Sequence, residues 1–140
     1  GERRLGHRAL EDSRLVSVAL PMVTQMQAAD PGILQILGVI TEFNGGLAAA
    51  ITRELLIPDA AQRVAAVLLR VTGSHEGVEP GHPAGFMLTQ TELGEMANAS
   101  RQHVNRVLHQ FAKAGWVAPG YNRIRLLNVP SLSAFAFQEQ

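Results

Sequence analysis

The sequence predicts a mainly α chain with a small β component: a long helix, then a winged helix-turn-helix, with a short hairpin ahead of both. Three observations carry this. Residues 88–111 hold two helical patterns with a turn signal between them. Two short alternating runs follow, wrapped around Pro119-Gly120-Tyr121-Asn122. An apolar 4-3-4-3-4 spacing runs from Ile33 to Ile51. Two domains are expected, residues 1–57 and 58–140.

Composition narrows the function. The chain has 140 residues and is 46% hydrophobic, enough to bury a core. It has no cysteine, so disulfides and thiolate-held metals are excluded from it. No unbroken apolar run reaches the roughly 20 residues of a membrane span, so no membrane partner is expected. Formal charge is zero over the whole chain, but residues 86–128 carry five cations against two acids, a balance of +3. A basic footprint gathered in one module suits nucleic acid.

In chain order, residues 7–20 read as strand, turn and strand, with Glu11-Asp12-Ser13 at the bend. Residues 21–29 read as a short helix with Met22, Val23 and Met26 inward. Asp30-Pro31 then gives an N-cap followed by proline at the first helical position. From there to about Leu56 one helix is expected. Ile33, Leu37, Ile40, Asn44, Leu47 and Ile51 form its stripe, which fits either a coiled-coil seam or an ordinary amphipathic core helix. Ile36, Phe43 and Ala50 make a second face that also needs cover. Gly45-Gly46 marks a close approach of helices or a bend.

Ile57-Pro58-Asp59 is the expected hinge, since proline restricts the residue before it. Asp59 caps the next helix with Gln62 completing a capping box, and Val64, Val67, Leu68 and Val71 form its core face. Residues 72–85 read as a loop. His75, Glu76, Glu79 and His82 within it match no standard metal spacing, so no metal site is expected.

Thr89 and Glu92 form a second capping box, followed by Leu93, Met96 and Ala97 on one inward stripe. Asn98 stands where the chain must turn, and asparagine tolerates the left-handed conformation. Ser100 is the next N-cap. In the helix that follows, Val104, Val107, Leu108 and Phe111 face inward, while Gln102, Asn105, Arg106 and His109 face outward beside Arg101. Arginine bonds guanine O6 and N7 together, and glutamine bonds adenine N6 and N7, so Arg101, Gln102 and Arg106 are the candidate base readers. A solvated helix face is the bland alternative. Ala114-Gly115 closes the helix. Residues 116–118 and 124–127 read as the strands of a wing in which Arg123 and Arg125 share a cationic face. Pro130-Ser131 starts a terminal helix carrying Leu132, Phe135 and Phe137 inward.

The run Ser100-Arg101-Gln102-His103-Val104-Asn105-Arg106, with Leu88-Thr89-Gln90-Thr91-Glu92-Leu93 before it, resembles the recognition motif of the cyclic-AMP receptor protein/fumarate-nitrate regulator (Crp/Fnr) family of bacterial transcription factors. The likeness spans residues 88–127. Many members carry glycine where Asn98 stands, which is physically tolerable; many carry glutamate where Gln102 stands, which exchanges a cytosine-facing acceptor for an amide, so the family's usual half-site is not carried over. The resemblance implies a cytoplasmic homodimer on a palindromic operator in double-stranded DNA, with the stripe from Ile33 to Ile51 as the dimer seam. It makes residues 7–20 the last hairpin of a sensor β-roll. The rest of that roll, with a small effector such as a cyclic nucleotide, would precede residue 1; no cofactor is expected within this segment. The 72–85 loop is similar to the family's RNA polymerase contact, with Val78 and His82 as candidates. Thr89, Ser100, His103, Asn122 and Arg123 are the candidate phosphate contacts, which position without reading sequence. With no His-Asp-Ser or paired-carboxylate arrangement on any one predicted face, no P-loop and no G-x-G-x-x-G, no enzyme is expected. The rival reading is a winged-helix protein-interaction module that dimerises through the long helix without reading DNA.

Overall fold

The computed structural model describes residues 12–74 and 85–138. Its elements are α1 (Leu20–Ala29), α2 (Ile33–Leu56), α3 (Ala60–Val71), β1 (Phe86–Met87), α4 (Gln90–Met96), α5 (Arg101–Lys113), β2 (Val117–Gly120), β3 (Arg123–Leu126) and α6 (Val129–Ala136). The chain divides into two compact units, residues 1–50 and 51–140. The boundary expected from the proline lies seven residues later.

In the first unit, residues 12–19 form no strand, and Leu15 and Val16 stand free in solvent. The expected hairpin is therefore not formed over its described half, and residues 7–11 lie outside the described residues. A strand pair needs a sheet to join, and among the described residues none is offered here. α1 forms as expected but buries nothing: Met22 and Met26 are exposed, contrary to their assignment to an inward face. α2 begins at Ile33, later than the Asp30-Pro31 signal suggests; the Asp30 carboxylate accepts from Gly32 N at 2.8 Å in the turn before it.

α2 shows its apolar faces to solvent. Of the seam residues Ile33, Leu37 and Ile51 are partly covered, and Ile40, Asn44 and Leu47 are exposed. On the second face Ile36, Val39 and Phe43 are 58–70% exposed. Nothing lies within 4 Å of where a Cβ would stand on Gly45 or Gly46, so no close approach occurs there within the chain. The helix is also long and apolar enough to cross a membrane by length and composition. A search for unbroken apolar runs misses this, because Gln35, Glu42 and Asn44 interrupt the run without raising its polarity much.

The second unit has one core. α3 supplies Val64, Ala65, Ala66, Val67, Leu68 and Leu69, all buried; Val71 is only partly so. Leu93 and Ala97 of the α4 region, the α5 stripe Val104, Val107, Leu108 and Phe111, and Leu132 of α6 close around it. Phe111, Trp116 and Phe135 form a ring cluster with centroids 5.4–5.5 Å apart. Phe137, expected inward, is 60% exposed because α6 ends before it. Asn128 caps α6 earlier than the Pro130 signal suggests, accepting from Ser131 N.

The sheet has the order β1-β3-β2 and is antiparallel throughout. Val117 pairs with Leu126 and Gly120 with Arg123, so the turn contracts to Tyr121 and Asn122, the latter at φ 50°. The alternation on β3 holds: Ile124 and Leu126 are buried, Arg123 and Arg125 exposed. β1, two residues long, is too short to leave a period in the sequence.

Three helices end alike. After α3, α4 and α5 the chain passes through a left-handed residue (Gly73, Asn98 and Gly115), and the next N–H reaches back to the helix's third-last carbonyl. Trp116 N donates to Phe111 O at 2.9 Å and Ala99 N to Gly94 O at 2.9 Å. This is the Schellman arrangement, and it satisfies carbonyls that would otherwise be orphaned. The α4–α5 turn is tight: a Cβ on Gly94 would stand 2.6 Å from the carbonyl oxygen of Ala99. Replacing Gly94 with alanine forces that turn apart. Gly94→Ala should lower stability by about 1–3 kcal/mol, read as a fall in the denaturant midpoint at constant slope. An unchanged midpoint would show that the turn yields freely.

Candidate nucleic-acid interface

The interface is built on α5. Ser100 starts it: the hydroxyl accepts from His103 N at 3.2 Å with Ser100 in extended backbone, φ −69°. The buried stripe then fixes the helix's rotation, because Val104, Val107, Leu108 and Phe111 can face only the core. That rotation turns Arg101, Gln102, Asn105, Arg106 and His109 outward, and all five are exposed. None of Arg101, Gln102 and Arg106 makes a side-chain hydrogen bond or ion pair with another described residue, so their donors remain available. Asn105 is engaged from α4: Gln90 Nε2 donates to its Oδ1 at 3.4 Å.

The candidate phosphate contacts differ among themselves. Thr89 is consumed by the capping box. Its hydroxyl donates to Glu92 Oε2 at 2.8 Å and accepts from Glu92 N at 3.1 Å, while Thr89 N donates to the same carboxylate at 3.0 Å. No hydroxyl proton is left over for a ligand. Ser100 is exposed and keeps its proton, since the cap uses it as an acceptor. His103 is half-buried, and its Nε2 is buried without a hydrogen-bond partner among the described residues. Any phosphate contact from it would have to go through the other ring nitrogen. Asn122 is exposed at the wing turn and its carbonyl accepts from Leu88 N at 3.1 Å. Arg123 is exposed but gives one N–H to Gly85 O at 3.2 Å, leaving the rest of its fork free. Val78 and His82 lie outside the described residues, as do His75, Glu76 and Glu79.

Wing and helix converge. A cleft of about 440 Å³ is lined by Thr89, Gln90, Arg101, Tyr121, Asn122 and Arg123, among others. The amino ends of α4 and α5 both reach it, with Arg101 and Arg123 at its walls. Helix amino ends and guanidinium groups facing one concavity make it suited to an anionic strand. Tyr121, 94% exposed at the wing tip, also lines this cleft, and the sequence does not single it out. A lone aromatic in a turn is the only signal it gives. Among the described residues no group of His, Asp or Glu could hold a metal.

The pattern of the Crp-like helix-turn-helix domain matches residues 62–135, just over half of the chain. No curated protein matches it in sequence. Among solved structures, a CooA mutant from Carboxydothermus hydrogenoformans is similar at 21% identity and TM-score 0.66, over 84% of this chain and 55% of that one. A CRP/FNR-family transcriptional regulator from Thermus thermophilus aligns at 23% identity and TM-score 0.62, over 78% and 56%. A CRP-family transcriptional regulator from the same organism aligns at 22% and 0.54, over 64% and 46%. The chain thus spans about half the length of these structures, and at such identities they speak to the fold alone. With the domain pattern covering α3 to α6, the chain belongs to the Crp/Fnr family through its Crp-like helix-turn-helix domain.

Proposed function

We propose that this chain is the dimerising and DNA-reading part of a transcription regulator, with α5 seated in the major groove. The observation that carries this is the outward face of α5: Arg101, Gln102 and Arg106, all exposed and without a partner among the described residues, on a helix whose rotation the core has fixed. Arg101, Gln102 and Arg106 read base edges, and Ser100, Asn122 and Arg123 hold phosphates on either side. The function is binding and regulation rather than catalysis.

The functional unit is a homodimer, formed by the α2 stripe from Ile33 to Ile51 pairing with its copy. Solvent exposure of that stripe in one chain supports the pairing, and so does its heptad spacing. A second copy, rather than lipid, covers it. Two heads related by a two-fold axis present their recognition helices about 34 Å apart, which requires a palindromic operator. In the full-length protein, in the cytoplasm, a small effector such as a cyclic nucleotide would bind a preceding sensor domain and control operator affinity. RNA polymerase would be met through the 72–85 loop.

Two experiments test this. Duplex DNA binding should weaken steeply with salt, and Arg101→Ala or Arg106→Ala should each cost about 1–3 kcal/mol and relax selectivity at one base pair in a binding-site selection. Salt-insensitive binding, or selections identical to wild type, would favour the protein-interaction module instead. For the seam, Ile40→Asp places a charge where one chain leaves the site exposed but a dimer would bury it. It should leave the chain folded and shift it to monomer in sedimentation equilibrium, with operator affinity falling alongside. A variant that sediments as wild type would remove α2 as the dimer contact.

A further inference from the structure

α3 carries two arginines to which the sequence alone assigns no role. Arg63 lies between two backbone segments far apart in sequence. Its Nη1 donates to Ile57 O at 2.7 Å and to Pro58 O at 2.9 Å, the carbonyls of the linker after α2. Its Nε donates to Ala97 O at 2.9 Å and its Nη2 to Asn98 O at 3.3 Å, at the turn between α4 and α5. Four of the five guanidinium N–H groups are thereby used, each on a carbonyl. Ala97 is the C-cap of α4, and its carbonyl is one that a helix end leaves without an intrahelical donor. Asn98 is the left-handed residue of that turn, at φ 47°, and Ser100, which starts the recognition helix, follows two residues later.

Seven residues on, and so on the same face of α3, Arg70 holds the other end. Its Nε lies 2.9 and 2.8 Å from the two carboxylate oxygens of Glu54, in the last turn of α2. Glu54 is buried. The end of α2, the linker and the helix-turn-helix bend are all fastened to one rigid helix.

We propose that Arg63 is a positioning residue for DNA reading: by bridging the linker carbonyls to those of the α4–α5 turn, it sets where the amino end of α5 stands relative to the end of α2. This rests on α5 being the reading helix. The chemistry is particular to arginine. A planar fork donates in several directions at once, whereas lysine offers its donors from a single point and glutamine offers two. Charge at this position is not enough.

Arg63→Gln and Arg63→Lys test it on the whole 140-residue chain, against an operator duplex obtained by selection with wild type. Both variants should lose ten-fold or more in affinity after correction for the folded fraction. The slope of log affinity against log salt should not change, because no phosphate contact is removed. Amide exchange at Ile57 and Ala99 should accelerate together while Val107 keeps its protection. A lysine variant indistinguishable from wild type would overturn the proposal. So would an affinity loss that vanishes on correction, or exchange that rises at Ile57 and not at Ala99. If Arg63→Gln unfolds, the lysine variant carries the comparison. Should wild type bind no duplex DNA, the functional reading fails, and the exchange at the two amides decides the bridge alone.

Discussion

The close approach of Gly94 to Ala99 sets the second unit's geometry. Without a side chain at Gly94, the carbonyl of Ala99 can come to within 2.6 Å of where a Cβ would be. That closeness permits a short turn, and the short turn fixes the crossing of α4 and α5. Once the crossing is fixed, Leu93 and Ala97 on one helix and Val104 and Val107 on the other meet the same core. α5 then has no rotational freedom, and its polar face points outward by exclusion. The exposed polar face of α5 is a consequence of packing on the opposite side of the helix.

Much of this is legible in the sequence, because the second unit obeys rules that act over a few residues. The capping box at Thr89 and Glu92, the left-handed Asn98, the Ser100 cap and the buried α5 stripe all follow from local chemistry, and all are present. Two of the misses come from long-range partners. Gln62 is expected to close a box with Asp59, yet only half forms. Asp59 accepts from Gln62 N, while the glutamine amide reaches across to the carbonyls of Phe135 and Gln138 in the α6 region. Arg63 looks like any solvated cation in the sequence, since its four acceptors lie both just before it and more than thirty residues after it. Phe137 fits an inward spacing on paper, but the helix that would have turned it inward stops one residue earlier. Where a contact partner lies within one helical turn the sequence announces it; beyond that it does not.

The same distinction sorts the candidate site. Residues chosen because their chemistry suits DNA fall into two groups according to whether the fold has already used that chemistry. Thr89 spends its donor and an acceptor lone pair on Glu92, and His103 has one ring nitrogen sealed from solvent. Arg101, Gln102 and Arg106 spend nothing on described neighbours. A hydroxyl that has given its proton to a cap partner, as Thr89's has, offers none to a phosphate, whereas Ser100 caps only as an acceptor and keeps its proton. In the proposed interface the groups that meet the ligand are those that still have a donor to give.

α2 is governed by a different balance. Its apolar faces are exposed in the single chain, whereas the second unit closes its own core. Fully burying a leucine or isoleucine side chain is worth about 1.5–3 kcal/mol, so the exposed stripe represents a substantial driving force toward a partner. An isolated helix of this length gains little from propensity alone, and the Gly45-Gly46 pair weakens it further, by about 1 kcal/mol per glycine. The helix is therefore expected to draw its order from whatever covers it. At its far end the Glu54–Arg70 pair ties the last turn of α2 to α3, the helix that also grips the turn before α5. In the proposed dimer, association and presentation of the α5 polar face would be linked through backbone carbonyls and two guanidinium groups, with no need for α5 itself to change shape.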